Sequence, residues 1–275
     1  MYSTVMPRSG FLLRPLTMKD EAGVEALFSD PDIVKTLAHD TSSPDAVRRI
    51  ANEWCRTCAI DGPDSHWIER GIGLWAITPS ESASLIAVRG FEGLSNMPEG
   101  NVDAFVVIAK AYWGQGISTE SAQLLTNYLF ERTSNHSIFT FVWPLLNPGS
   151  EAVQRKMGFR PVERVSVRES YGEEMMANVR DFELWRISNA GPPELDSALR
   201  QGAIKLGQLS AEGMFSTDEA CQLILNALPN GLETYAGAES IVRDHVATGH
   251  ENPAWATYRL TSADWIQRNS FSANG

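Results

Sequence analysis

The stretch that most limits what this chain can become reads VDAFVVIAKAYWGQGISTESAQLLTNYLFE, from Val102 to Glu131. An apolar, β-branched run ends, two glycines follow one residue apart, and a helical pattern starts at once. The order predicts a strand, a tight turn and a helix with nothing between them. Gly114 and Gly116 let the loop fold tightly and put no side chain in the way of an approaching group. Successive backbone N–H groups then point at one spot, and the positive end of a helix beginning near Ser118 adds to it. Ser118 and Thr119 contribute hydroxyl donors. A cradle of this kind suits a pyrophosphate; a plain strand-to-helix turn, which also favours glycine, is the alternative. No Gly-Lys-Ser/Thr follows, so it is not a Walker loop, and the third glycine of the dinucleotide fingerprint is lacking.

Around this stretch the chain reads as mixed α and β. FLLRPLTM is a strand, KDEAGVEALFSDPDI a short helix stopping before Pro31, and SPDAVRRIANEWCRTCAI a helix with Ser43 as N-cap and Pro44 at its first position. GLWAITP, LIAVRGFEGL and DAFVVIA are successive strands. After the long helix come the strand IFTFVW, the short helix SEAVQRKMGF closed by Gly158, and a final strand pair, VERVSVRE and VRDFELWRIS. Gly191, Pro192 and Pro193 then mark a boundary. It divides residues 1–190 from a small, mainly helical domain, 191–275, joined by the short linker NAGPPELD. In that second part ELDSALRQGAIKLGQLSAEG, STDEACQLILNAL and GAESIVRDHVATG are helices, the second opened by a Ser216/Glu219 capping box and the third closed by Gly249, and AWATYRL is a short strand. Leu206, Leu209, Leu223, Ile224, Leu225, Ile241 and Val242 are its expected core.

Composition removes several functions. The 275 residues carry a net charge of -11, which argues against nucleic acid or an anionic membrane as partner and suits a cationic or amine-bearing substrate. No apolar run is long enough to span a bilayer, and the first ten residues lack the apolar core of a signal peptide, so a cytoplasmic protein is expected. Three cysteines make no disulfide framework. The Cys55/Cys58 pair lies inside a helix without a second pair, which reads as two ordinary core cysteines rather than a metal or redox site; no metal is expected.

At YWGQGISTESAQLL followed by NPGSEAVQRKMGFRPVE the chain resembles the GCN5-related N-acetyltransferase (GNAT) superfamily, nearest the branch of the ribosomal-protein-alanine N-acetyltransferases. The family's cofactor loop is Gln/Arg-x-x-Gly-x-Gly/Ala; Trp113 stands at its first position, Gly116 matches, and Ser118 replaces the last. Asn147, Ser150, Gly158 and Phe159 match the second motif. The resemblance runs from about Arg14 to Ile187 and leaves the second domain outside it altogether. It implies a mixed, mostly antiparallel sheet flanked by helices, an acetyl-CoA-dependent transfer to a primary amine, and no metal. It implies that the backbone of Val106, Val107 and Ile108 pairs with the pantetheine arm where two strands splay. The N–H groups of Gly114, Gln115, Gly116, Ile117 and Ser118, beside Trp113, would hold the pyrophosphate, and Asn147 would bond the pantetheine region. Asn147 capping the short helix, with Ser150 as its support, is the other reading of that pair.

The chemistry is direct attack of a neutral amine on a thioester, so a carboxylate must accept the amine's proton. The resemblance puts three near the slot: Asp103 first, then Glu163, then Glu92, each of which also reads as a solvated strand-end charge. Ser150 is the candidate acid for the leaving thiolate. The resemblance gives amine recognition to the early helices, Asp40 to Trp54, and to the loop holding Glu173 and Glu174, which reads either as attracting a cationic amine or, the favoured reading, as a solvated loop; Trp67 and Trp75 either line that side or lie in the core. His39, His66 and His136 have no assigned role. A non-catalytic CoA-binding or protein-interaction module is the alternative function. The second domain is expected to be a fixed accessory, shaping the amine entrance or making a homodimer contact.

Overall fold

In the computed structural model the described residues are 3–36, 41, 43–92, 100–135, 137–165, 175–211, 213, 215–229 and 237–252. They fall into two compact units, the first ending at Val179 and the second beginning at Arg180.

The first unit starts with β1 (Thr4–Val5) and β2 (Leu12–Pro15), a hairpin whose first strand the sequence reading did not find. Next come α1 (Glu21–Phe28), α2 (Pro31–Val34), α3 (Pro44–Cys58) and α4 (His66–Arg70). Pro31 starts α2 rather than merely stopping α1: its missing N–H falls where a helix has no use for one, and Asp30 caps the turn by accepting from Asp32 N at 2.9 Å. Ser43 caps α3 as expected, accepting from Ala46 N at 3.2 Å. The sheet continues with β3 (Leu74–Thr78), β4 (Ala87–Glu92) and β5 (Asn101–Ile108). Then α5 (Ile117–Arg132) crosses over to β6 (Ser137–Val142), and α6 (Pro148–Lys156) precedes β7 (Arg160–Val165) and β8 (Met175–Asp181). The spatial order is β1-β2-β3-β4-β5-β6-β8-β7, antiparallel from β1 through β5 and between β7 and β8, with β5 and β6 parallel.

Register fixes which residues share a face. Val88 opposes Val107 and Gly90 opposes Phe105; the apolar residues of this face join Phe28, Trp54, Cys55 and Leu74 from α1, α3 and β3 in one core. Cys55 and Cys58 are buried there as free thiols, and burial pushes the Cys55 thiol up to about 12. The opposite face carries Arg89, Val106 and Trp75, and meets α5 through a 5.4 Å ring contact of Trp75 with Tyr128.

The second unit corrects three expectations. VRDFELWRIS is not a single strand: β8 ends at Asp181 and Phe182–Asn189 form α7. Apolar residues at Phe182, Leu184, Trp185 and Ile187 alternate imperfectly, and i,i+3 contacts decide the outcome. Phe182 stacks on Trp185 at 5.8 Å, Arg186 pairs with Glu183 at 2.6 Å, and Leu184 and Ile187 share one side in the unit's core. Pro192 and Pro193 are not a linker but the first turn of α8 (Pro192–Ala211), where the carbonyl of Gly191 accepts from Glu194 and Leu195 N at 3.0 Å each. Then follow α9 (Thr217–Asn226), with its capping box formed, and α10 (Ala238–Glu251). Helix α10 does not stop at Gly249 but runs through it. A Cβ there would lie 2.1 Å from the Ile204 carbonyl oxygen, and one on Gly207 2.2 Å from that of Val246. These glycines let α8 and α10 cross in backbone contact. Leu206, Leu209, Ile224 and Val242 are buried, with Leu223, Leu225 and Ile241 packed around them. AWATYRL lies outside the described residues.

Candidate active site

Strand β5 is where the sheet opens. Its parallel ladder to β6 pairs Asn101 with Ser137, Val102 with Ile138 and Asp103 with Phe139, while its ladder to β4 continues through Ile108. From Ala104 onward one edge of β5 therefore has no ladder to β6; Ala109 N donates to the Ile86 carbonyl at 2.8 Å, so by alternation Val107 turns its N–H and C=O to Val88 of β4, and the backbone facing the open edge is that of Val106 and Ile108, not of Val107 as expected. Trp113, half exposed, donates its indole N–H to the Ile108 carbonyl at 2.7 Å and pins the end of that edge.

A 3-10 turn, Lys110–Tyr112, leads to the glycines. Gly114 has φ 74° and Gly116 φ 80°, the left-handed region that strains other residues. A Cβ on either would meet nothing within 4 Å, so it is conformation rather than crowding that demands glycine, and the space outside is open. Gly116 is the N-cap of α5 and no side chain caps that helix. Its first-turn N–H groups, from Ile117 onward, are left to face whatever occupies the turn.

Two neighbours of this turn were not legible in the sequence. Glu120, buried in the first turns of α5, accepts from Arg8 N at 2.5 Å and Ser9 N at 3.1 Å, tying the tip of the β1–β2 hairpin to the helix start. With Gln115, Gly116 and Thr119, Arg8 and Lys156 line a cleft of about 350 Å³. Arg89, from the middle of β4, donates to the Ser118 carbonyl at 3.0 Å and to its hydroxyl at 3.1 Å. Burial lowers the Arg89 pKa to about 10, which still leaves it charged at neutral pH.

Asp103 is buried at the last rung of the parallel ladder, the point where β5 and β6 part. It opposes Glu92 across β4 and shares its face with Phe105, whose ring meets Trp54 at 4.4 Å. Glu163 is elsewhere. It lies on β7, past an irregularity after Pro161, and β6 and β8 intervene before β5. Three strand spacings of roughly 4.8 Å put its backbone about 14 Å from that of β5. The side chains of Glu92 and Glu163 lie outside the described residues, as do His39, Asp40, His136, Glu173 and Glu174.

Asn147 and Ser150 stand together at the start of α6. Asn147 Oδ1 accepts from Ser150 N at 3.1 Å as N-cap, and Ser150 Oγ lies 3.5 Å from Gln154 Nε2. Gln154 also reaches the Thr140 hydroxyl at 3.3 Å and accepts from Asn178 Nδ2 at 2.7 Å, linking α6 to β6 and β8. The only sequence signal for this network is that Gln154 follows Ser150 by one helical turn. Trp67 and Trp75 are core residues: both are buried, their rings 4.4 Å apart, and Trp67 Nε1 donates to the Cys58 carbonyl at 2.9 Å. No group of His, Cys, Asp and Glu among the described residues is placed to hold a metal ion, and none of their helices is long and apolar enough to cross a membrane.

The acetyltransferase (GNAT) domain family matches residues 11–160, and the chain belongs to that family. Among solved structures, its fold is similar to a GNAT-family acetyltransferase from Bacillus anthracis at 19% identity and TM-score 0.50, covering 63% of this chain and 95% of that one. It is similar also to a ribosomal-protein-S5-alanine acetyltransferase from Vibrio fischeri at 12% identity and TM-score 0.50, covering 62% and 92%.

Proposed function

We propose that this acetyltransferase moves the acetyl group of acetyl-CoA to a primary amine by direct attack. The observation that carries it is the open edge of β5, followed through the short 3-10 turn Lys110–Tyr112 by the Gly114–Gly116 turn and the uncapped start of α5. The residues fit the co-substrate. Val106 and Ile108 offer strand backbone to a pantetheine amide, and the N–H groups from Gly114 to Ser118 meet a diphosphate. Asn147 caps α6 at the far side of the opening and stands beside the same arm.

The acetyl group arrives activated as a thioester. Asp103 takes the proton that the attacking amine gives up, either directly or through one water. The new C–N bond forms as the C–S bond breaks, and the departing sulfur takes a proton, for which the Ser150 hydroxyl is the candidate source. Holding amine and thioester together at the splay supplies much of the rate. The acidic chain and the Asp103/Glu92 rung favour an acceptor that is cationic in solution.

The test is thiol release from acetyl-CoA with a panel of polyamines, amino acids and peptides with free N-termini. Amine-dependent release is expected, and Asp103→Asn should lower turnover at neutral pH by about a hundredfold while acetyl-CoA affinity changes little. Acetyl-CoA binding with no release for any amine would leave a non-catalytic CoA module; full turnover in Asp103→Asn would remove Asp103 as the base.

A further inference from the structure

Arg89 is placed where a cation is electrostatically out of favour. It rises from β4 on the face that meets α5, and its guanidinium ends on Ser118, in the first turn of that helix. The N-terminal end of a helix repels positive charge. Partial burial adds a desolvation cost, and no carboxylate among the described residues pairs with Arg89 to offset it. An anion in the turn above it would reverse both penalties.

The Ser118 hydroxyl points the same way. Its oxygen accepts from Arg89 at 3.1 Å, and no described residue accepts the hydroxyl's own hydrogen. A serine hydroxyl has one hydrogen to give and two lone pairs; with one lone pair taken by the guanidinium, its hydrogen is left to donate.

We propose that Arg89 is a positioning residue for the diphosphate of the co-substrate, holding Ser118 as a hydroxyl donor and placing a fixed positive charge beneath the glycine turn. This rests on the acetyl-CoA reading above. Arg89 acts through the loop and not on the reacting atoms, so its effect falls on substrates that carry a diphosphate and spares those that do not.

The experiment compares kcat/KM for acetyl-CoA with kcat/KM for S-acetylpantetheine, which lacks the diphosphate, in the parent chain, Arg89→Gln, Arg89→Lys and Ser118→Ala. The ratio of the two values within one preparation is independent of how much of the protein is folded. In Arg89→Gln the ratio should fall by about tenfold or more; Arg89→Lys should recover part of it; Ser118→Ala should lower it by about threefold. Adding Ser118→Ala to Arg89→Gln should lower it little further, because both act through one hydroxyl. An unchanged ratio in Arg89→Gln, or in the partly exposed and structurally mild Ser118→Ala, overturns the proposal. A parent chain that neither binds acetyl-CoA nor prefers it to S-acetylpantetheine instead overturns the co-substrate reading beneath it.

Discussion

Two pairs of glycines serve opposite ends in this molecule. At Gly114 and Gly116 the backbone has positive φ and a Cβ would meet open space. At Gly207 and Gly249 the backbone is helical and a Cβ would drive into a carbonyl oxygen of the facing helix. The first pair borders open space; the second closes a space within the chain. The helix starts differ in the same sense. At α9 Ser216 Oγ accepts from Glu219 N at 3.2 Å, while the Glu219 carboxylate accepts from Ser216 N at 2.7 Å and Ser216 Oγ at 2.9 Å, and those last two bonds hold it below its ordinary pKa. Helix α5 leaves its first turn without a side-chain cap. Helices α1, α7 and α10 also start without a side-chain cap; α5 differs from them in following the Gly114–Gly116 turn beside the open edge of β5.

The comparison breaks first at Gly249. Gly249→Leu forces α8 and α10 apart and should lower the stability of the second unit by about 3 kcal/mol or more, measured by urea unfolding. A loss below about 1 kcal/mol would mean that the crossing yields easily and that the close contact is not what glycine is there for.

The open pair behaves in the reverse way. Gly116→Glu should weaken acetyl-CoA binding by about a hundredfold or more in calorimetry, because a bulky anion then fills the approach and repels the phosphates. Its cost in stability should be only about 1–2 kcal/mol, the strain of a side chain at positive φ. Equal binding by parent and variant would remove the turn from the cofactor site. The smallest effect is expected at the self-capped helix: Ser216→Ala should cost about 1 kcal/mol of stability and leave acetyl-CoA affinity as it was. A shift in that affinity would show that α9 is not purely structural.

Much of this was legible without coordinates, and the reason is locality. The strand–glycine turn–helix unit, the Ser43 and Ser216 caps and the cysteines inside α3 depend on residues within one or two turns of one another. Where two local patterns compete, the sequence misleads. The alternation in VRDFELWRIS looks like a strand until the i,i+3 contacts of Phe182 with Trp185 and the shared core side of Leu184 and Ile187 are seen. A glycine near a helix end likewise reads as a cap until a facing helix is found against it.

The pairing of distant segments is what only the tertiary structure decided. Nothing near Glu120 announces that it will accept from Arg8, 112 residues away, nor does Arg89 announce Ser118, 29 residues on. The order β5-β6-β8-β7 separates Glu163 from the splay, though both belong to motifs the sequence shows plainly. Periodicity and capping report the free energy of neighbouring residues along the chain. Strand order and helix crossing are set by which apolar faces can be buried together, and that depends on all the faces at once.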